Sequence, residues 1–334
     1  PEFQELKIHE SYTRQKDGNI VKTPENAFVE VLPSAAADAP AYNCVKEIVV
    51  VHTGLELGAT IYLDYSVITR PGYLPELDVC EQVEELSPIK EYVLSLSVPE
   101  SKPLHYELLN GKTAPAVKTE GGVKTVIWTL KNVQPRPYML DVSLAAGNVQ
   151  AIVASTYASK ADALKVIKQQ LESNGKEVSE LAKKLTANAQ SPEQKTKQLT
   201  AYVQGLGNSR LSLSQTGYRL RPAAEVIRSA YGTEAEKAAL LAALRQASGI
   251  QTEIKAVFPK TVNKDAAGLA TVSKLFVTDN AVADIQDFVS VVNMDAQPVV
   301  LETVSHVISQ TDTLRVTAKI GKALEAGYRR FELP

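Results

Sequence analysis

In the first 150 positions apolar residues come in short runs, several alternating with polar neighbours, whereas beyond Ser159 they recur at every third or fourth place. A period of two reads as half-buried strand and a period near 3.6 as amphipathic helix. The first regime predicts strands over Ala27–Leu32, Lys46–Thr53, Ala59–Thr69, Glu91–Val98, His105–Leu109, Val123–Leu130 and Met139–Leu144. Reversals between them are supplied by Asp17-Gly18, Pro71-Gly72, Asn110-Gly111 and Gly121-Gly122, whose backbones tolerate sharp turns or positive φ. Seven short strands so spaced predict an antiparallel sandwich or barrel, and nothing among them resembles a nucleotide-binding βαβ unit.

The second regime carries its own stop and start signals. Ser159 with Asp162 opens a helix whose stripe is Leu164, Ile167 and Leu171, and Gly175 offers a left-handed stop. Glu177–Ala189 reads as a second helix; Ser191, Pro192 and Gln194 open a third, with Leu199, Tyr202, Val203 and Leu206 on its apolar face. Arg221-Pro222 starts a short helix through Ser229, and Thr233 with Glu236 forms a capping box ahead of Leu240, Leu241 and Leu244, with Gly249 as the stop. Ile254–Phe258, Ala270–Val277, Phe288–Asn293 and Val299–Leu301 then read as strands. Helices followed by an antiparallel sheet define an α+β layer architecture, with a domain boundary near 150–158 where the composition shifts. Twelve of the 17 prolines lie before that boundary.

Composition removes whole classes of function. With 334 residues, 44% of them hydrophobic and 22% charged, the chain is a folded protein of about two domains rather than a disordered one. A formal net charge of -2 provides no field to gather nucleic acid or anionic membrane, and no apolar run reaches the roughly 20 residues of a membrane-spanning helix. Two cysteines, Cys44 and Cys80, are too few for a disulfide scaffold or a four-cysteine zinc site. The four histidines, His9, His52, His105 and His306, lack ligand spacing, so neither metal nor cofactor is expected. Cys44 and Cys80 read as small buried hydrophobes and His52 and His306 as core or surface residues. The lysines of 160–184 are interspersed with acids and read as solvated helix faces, and Trp128 with 13 tyrosines reads as core or interface anchors.

One stretch reaches a family. Gly217-Tyr218-Arg219-Leu220-Arg221-Pro222, then Tyr231-Gly232-Thr233-Glu234-Ala235-Glu236-Lys237-Ala238-Ala239-Leu240-Leu241 and Ala247-Ser248-Gly249-Ile250, resembles the core of transglutaminase-like proteins. In that family the pattern runs Tyr-Gly-Asp-Cys-x-Asp-Lys-Ala-x-Leu-Leu through the nucleophile helix. The β-rich half, with Glu30–Ala36 and Val50-Val51-His52-Thr53-Gly54, resembles the domain of unknown function that precedes such cores in exported bacterial proteins. The resemblance implies an N-terminal β domain over 1–153 and a papain-like core over 154–310. Residues 311–334, with strands Thr313–Ile320 and Tyr328–Leu333, look like the start of a further β domain, as in a fragment. It also implies a periplasmic or extracellular location.

The departure from the pattern bears on function. The family's cysteine sits just inside a helix N-terminus, where exposed amides and the helix dipole favour the thiolate that attacks substrate. Glu234 occupies that place; a carboxylate there stabilises the helix by about 0.3–1 kcal/mol and is no comparable nucleophile. The positions of the family's histidine and aspartate fall near Ser290 and Glu302. The reading is a catalytically degenerate scaffold that binds a peptide or protein ligand in a residual cleft around Tyr218, Tyr231, Thr233 and Glu234. Its alternative is an active amidase or peptidase with a displaced nucleophile, or with Glu234, Glu302 and Ser290 dividing acid and base roles. A third reading, a structural module of a longer exported polypeptide, predicts a large apolar face at either terminus.

Overall fold

A computed structural model of the chain describes residues 3–37, 39–136, 149–171, 175–258, 263, 265–272 and 274–279. In order, the first half forms β1 (Gln4–Arg14), β2 (Ile20–Lys22), β3 (Phe28–Val31), β4 (Glu47–Val50), β5 (Thr60–Thr69) and β6 (Asp78–Gln82). It continues with β7 (Ile89–Pro99), β8 (His105–Leu109), β9 (Ala116–Glu120), β10 (Val123–Val133) and β11 (Ala151–Ser155). Two three-stranded antiparallel sheets, β7–β10–β9 and β6–β11–β8, face each other across one core: Leu96 and Val98 of β7, Val126 and Trp128 of β10, and Ile152 and Ala154 of β11. Trp128 is fully buried, with Tyr106 edge-on to its ring at 5.4 Å. The β9–β10 hairpin turns on Gly121 and Gly122, at φ +57° and +75°, the left-handed pair that a tight right-twisting hairpin needs. A third sheet, β2–β1–β5, and the pair β3–β4 complete this half.

The second half forms α1 (Lys160–Lys168), α2 (Lys176–Leu185), α3 (Pro192–Gln204), β12 (Gly207–Asn208), α4 (Ala223–Ser229), β13 (Tyr231–Gly232), α5 (Glu234–Ala247), β14 (Thr252–Val257) and β15 (Lys274–Asp279). The caps read from sequence are made: Ser159 accepts the Asp162 amide, Ser191 accepts the Gln194 amide, and Thr233 with Glu236 closes both bonds of the capping box. α5 lies centrally, with Leu240 and Leu244 fully buried against Val178 of α2, Leu199 of α3 and Val226 of α4. The β14–β15 hairpin packs on α5 as well. Mixed helices and antiparallel sheets make the chain α+β.

Several expectations are corrected. Gly175 is no helix stop: at φ -67° and ψ 161° it is the extended N-cap of α2. Cys80 lies within strand β6 rather than between strands, and Leu269–Thr271 is a 3₁₀ turn, so that strand begins at Lys274 rather than Ala270. β1, β2, β6, β9 and β11, and the two-residue β12 and β13, were not foreseen. β9 is exposed on both faces, which erases the alternation that marks a half-buried strand, and β11 is buried on both. Met139–Leu144, Phe288–Asn293, Val299–Leu301, Thr313–Ile320 and Tyr328–Leu333 lie outside the described residues.

The connection between β14 and β15 reaches back across the sandwich. The Asn263 amide donates to Glu107 Oε2 of β8 at 2.8 Å, and the Ala270 amide to Asp78 Oδ2 of β6 at 3.2 Å. Between these anchors Ala266 is fully buried against Leu109 and Val153. Gly268 passes so close to Asp78 that a β-carbon there would come within 2.4 Å of its carboxylate. The strap covers the outer face of β6–β11–β8, which is why β11 is buried on both sides.

Candidate functional site

The head of α5 is built around a single buried ion pair. Glu236, at the third helical position, is held there by the capping box: Thr233 Oγ1 accepts its amide at 3.2 Å, and its Oε2 accepts the Thr233 amide at 3.0 Å. The inward face of α5 leaves its side chain no exposure, and Arg221, 11% exposed, meets it as a fork: Nε donates to Oε1 and Nη2 to Oε2, each at 3.0 Å. The Arg221 amide adds a third donor to Oε1 at 2.9 Å. Four N–H groups thus converge on one carboxylate.

Arg221 is equally committed. Its Nη1 donates to Ser229 Oγ at 3.1 Å and its Nη2 to the Tyr231 carbonyl at 2.8 Å. The guanidinium lies between two rings, 5.1 Å from Tyr42 and 4.6 Å from Tyr231, a cation–π sandwich that replaces lost hydration. Tyr42 belongs to the β-rich half, and Tyr231 Oη accepts the Ala41 amide at 2.8 Å, so the two halves join at this point. Burial, with the Glu236 carboxylate beside it, raises the Tyr42 phenol above its ordinary range and keeps it neutral.

Glu234 is the first residue of α5 and is exposed. Thr233 is buried as the N-cap, and Tyr231 is held in the clamp. Tyr218 packs in the apolar cluster that includes Ala235, next to Glu234 on α5. Its backbone is left-handed at φ 60°, its carbonyl accepts the Gln170 side-chain amide at 2.8 Å, and its ring packs in the apolar cluster containing Tyr157 and Leu269. Burial raises the Tyr218 phenol, with Asp78, Cys80 and Tyr157 adding to the shift. Ser290, Glu302 and His306 lie outside the described residues. The clamp itself was not foreseen: Glu236 reads in sequence as a cap and Arg221 as the start of a helix, and only their convergence shows the second role. Cutting the cap back with Thr233→Ala is expected to cost about 0.5–2 kcal/mol, read as a lowered urea midpoint.

The cysteines sit elsewhere. Cys44 is exposed in the turn before β4, and Cys80 is free on β6, its thiol pushed up to about 11 by burial, with Glu81 and Asp78 adding to the shift. A thiol so raised is protonated at neutral pH and is a poor nucleophile. Beside it, burial pushes Asp78 up to about 7 against the opposing pull of the Ala270, Leu269 and Val79 amides. No cluster of three or more potential metal ligands occurs among the described residues. A cavity of about 620 Å³ lined by Gln246, Ile250 and Gln251 lies at the far end of α5. It is separated from Glu234 by most of the helix, roughly 20 Å at 1.5 Å per residue. No helix among the described residues is long and apolar enough to cross a membrane.

A family model described as a domain of unknown function with solved structure, DUF3857, matches residues 1–137. A solved structure from Parabacteroides distasonis, named a "putative protease", is 47% identical, with a TM-score of 0.78; the match covers 84% of this chain and 56% of that one. The chain therefore spans little more than half the length of that relative. A second structure, named a "putative cysteine protease" and from Cytophaga hutchinsonii, is 12% identical over 61% of this chain and 71% of its own, at a TM-score of 0.27, too low to carry an argument. Among curated proteins none matches.

Proposed function

We propose that this chain is a catalytically degenerate transglutaminase-like protein, acting as a binding or structural module of an exported bacterial polypeptide. The observation that carries the reading is the head of α5. Where the resemblance requires a thiolate, an exposed glutamate stands, and the neighbouring carboxylate, Glu236, already accepts four N–H donors. A saturated carboxylate held by a buried arginine has no lone pair free to take a proton from substrate, so its work is to join α5 to the β-rich half. The degenerate triad at Glu234, Ser290 and Glu302 and the location outside the cytoplasm belong to this proposal through the resemblance.

The name of the 47%-identical relative favours a second reading, in which this chain is an active peptidase or amidase. Incubating the pure protein with casein, and separately with dansyl-cadaverine, with and without iodoacetamide, distinguishes the two. The degenerate reading expects no turnover. Turnover that alkylation abolishes, and that Cys44→Ser or Cys80→Ser removes, establishes a displaced thiol nucleophile instead. Turnover that resists alkylation but is lost in Glu234→Gln assigns the chemistry to the carboxylate.

A further inference from the structure

β5 is the outer strand of the sheet β2–β1–β5. Residues directly opposite on paired strands share a face, which places Leu6 with Val67 and Ile8 with Tyr65 on one side, continued along β5 by Leu63 and Ile61. Leu6 is 39% exposed, Ile61 50%, Leu63 40%, Tyr65 55% and Val67 52%. The charges of these strands, Glu5, Lys7, Glu10, Arg14 and Asp64, stand on the opposite face, with Glu10 directly across from Asp64. A bulge between Ile8 and Glu10 turns Glu10 onto the opposite face and sets Ser11 and Thr13 beside Leu63 and Ile61. Side chains of this size and exposure present on the order of 400 Å² of contiguous apolar surface, a patch of the extent that marks an interaction site.

We propose that this face is an interface between two copies of the chain, packed sheet against sheet about a two-fold axis. A two-fold interface brings the same patch against itself, so any charge on it would meet its own kind; this face carries none, whereas its reverse carries five between β1 and β5. Two twisted sheets packed face to face interdigitate side chains across about 10 Å, which alternating Leu, Ile, Tyr and Val positions suit. Both patches with their rims remove roughly 1,000 Å², the lower limit of a specific interface, which places the dimer among weak, reversible associations. The inference rests on this sheet and is independent of the chemistry at α5.

Sedimentation velocity over about 1 to about 200 µM protein reads the monomer–dimer balance directly, since association is concentration-dependent. The expected result is a reversible shift to twice the monomer mass, abolished by Leu63→Asp and retained in Ser66→Asp on the reverse face. A chain that stays monomeric throughout, whether its apolar face is bare or is covered by another polypeptide, overturns the proposal, as does a dimer that survives Leu63→Asp. Should Leu63→Asp fail to fold, disulfide trapping decides. In a Cys44→Ser background, mild oxidation should link Tyr65→Cys chains into dimers and leave Ser66→Cys chains unlinked, and the reverse pattern overturns the proposal.

Discussion

Glu236→Ala is expected to destabilise the fold by about 3–5 kcal/mol, because it leaves the Arg221 guanidinium buried without its counter-charge. The side chain of Glu236 has no exposure and that of Arg221 only 11%, so solvent cannot replace the lost partner. The amides of Thr233 and Arg221 lose their acceptor in the same stroke. Desolvating two ions offsets much of their attraction, so removing one partner measures an uncompensated charge rather than the worth of the pair. The double change Arg221→Met with Glu236→Leu should therefore cost less than Glu236→Ala alone, a coupling a double-mutant cycle isolates. Urea unfolding followed by far-UV circular dichroism reads both variants. A Glu236→Ala midpoint within about 1 kcal/mol of wild type would show that the clamp contributes little.

Stability should also depend on pH through Asp78. In the unfolded chain this carboxyl titrates near 3.8; in the native fold burial raises it to about 7. Between those values the unfolded chain has released the proton and the native fold still holds it, so stability falls as pH rises and is flat above the native value. Cys80, at about 11, and Tyr157, at about 12, stay protonated through this window, as does Tyr218, so they do not contribute to the slope. At about 1.36 kcal/mol per pH unit, the full span amounts to about 4 kcal/mol. Asp78→Asn keeps an acceptor for the Ala270 amide and removes the titration. The variant carries a pH-independent cost for its buried amide, yet it should gain on wild type steadily from pH 5 to about pH 7 and hold that gain level to pH 8. Parallel stability profiles for the two proteins over that range would exclude Asp78 as the titrating group.

The two residues carry complementary lessons about what a linear reading reaches. The Thr233 and Glu236 capping box was legible because its groups lie three residues apart and the motif is made by local backbone geometry. The same glutamate's bond to Arg221 spans 15 residues and the Arg221 contact to Tyr42 spans 179, so no local pattern announces them. Asp78 likewise meets Ala270 across 192 residues. Its sequence neighbourhood, a short charged strand, reads as surface until the strap is folded over it.

By itself the sequence determined the α+β class, the caps of α1, α3 and α5, three of the six strands of the sandwich, β7, β8 and β10, and the substitution of Glu234 at the place where the resemblance requires a thiol. Each of these depends on side-chain period or on partners within a turn or two, where the chain's own geometry decides. Only the tertiary structure decided that Gly175 begins a helix, that β1 and β5 leave an apolar face bare, and that α5 is tied to the β-rich half through Arg221, Tyr42 and Tyr231. Those features arise where distant segments remove water from one another, and desolvation is a property of the assembled neighbours rather than of any one stretch of chain.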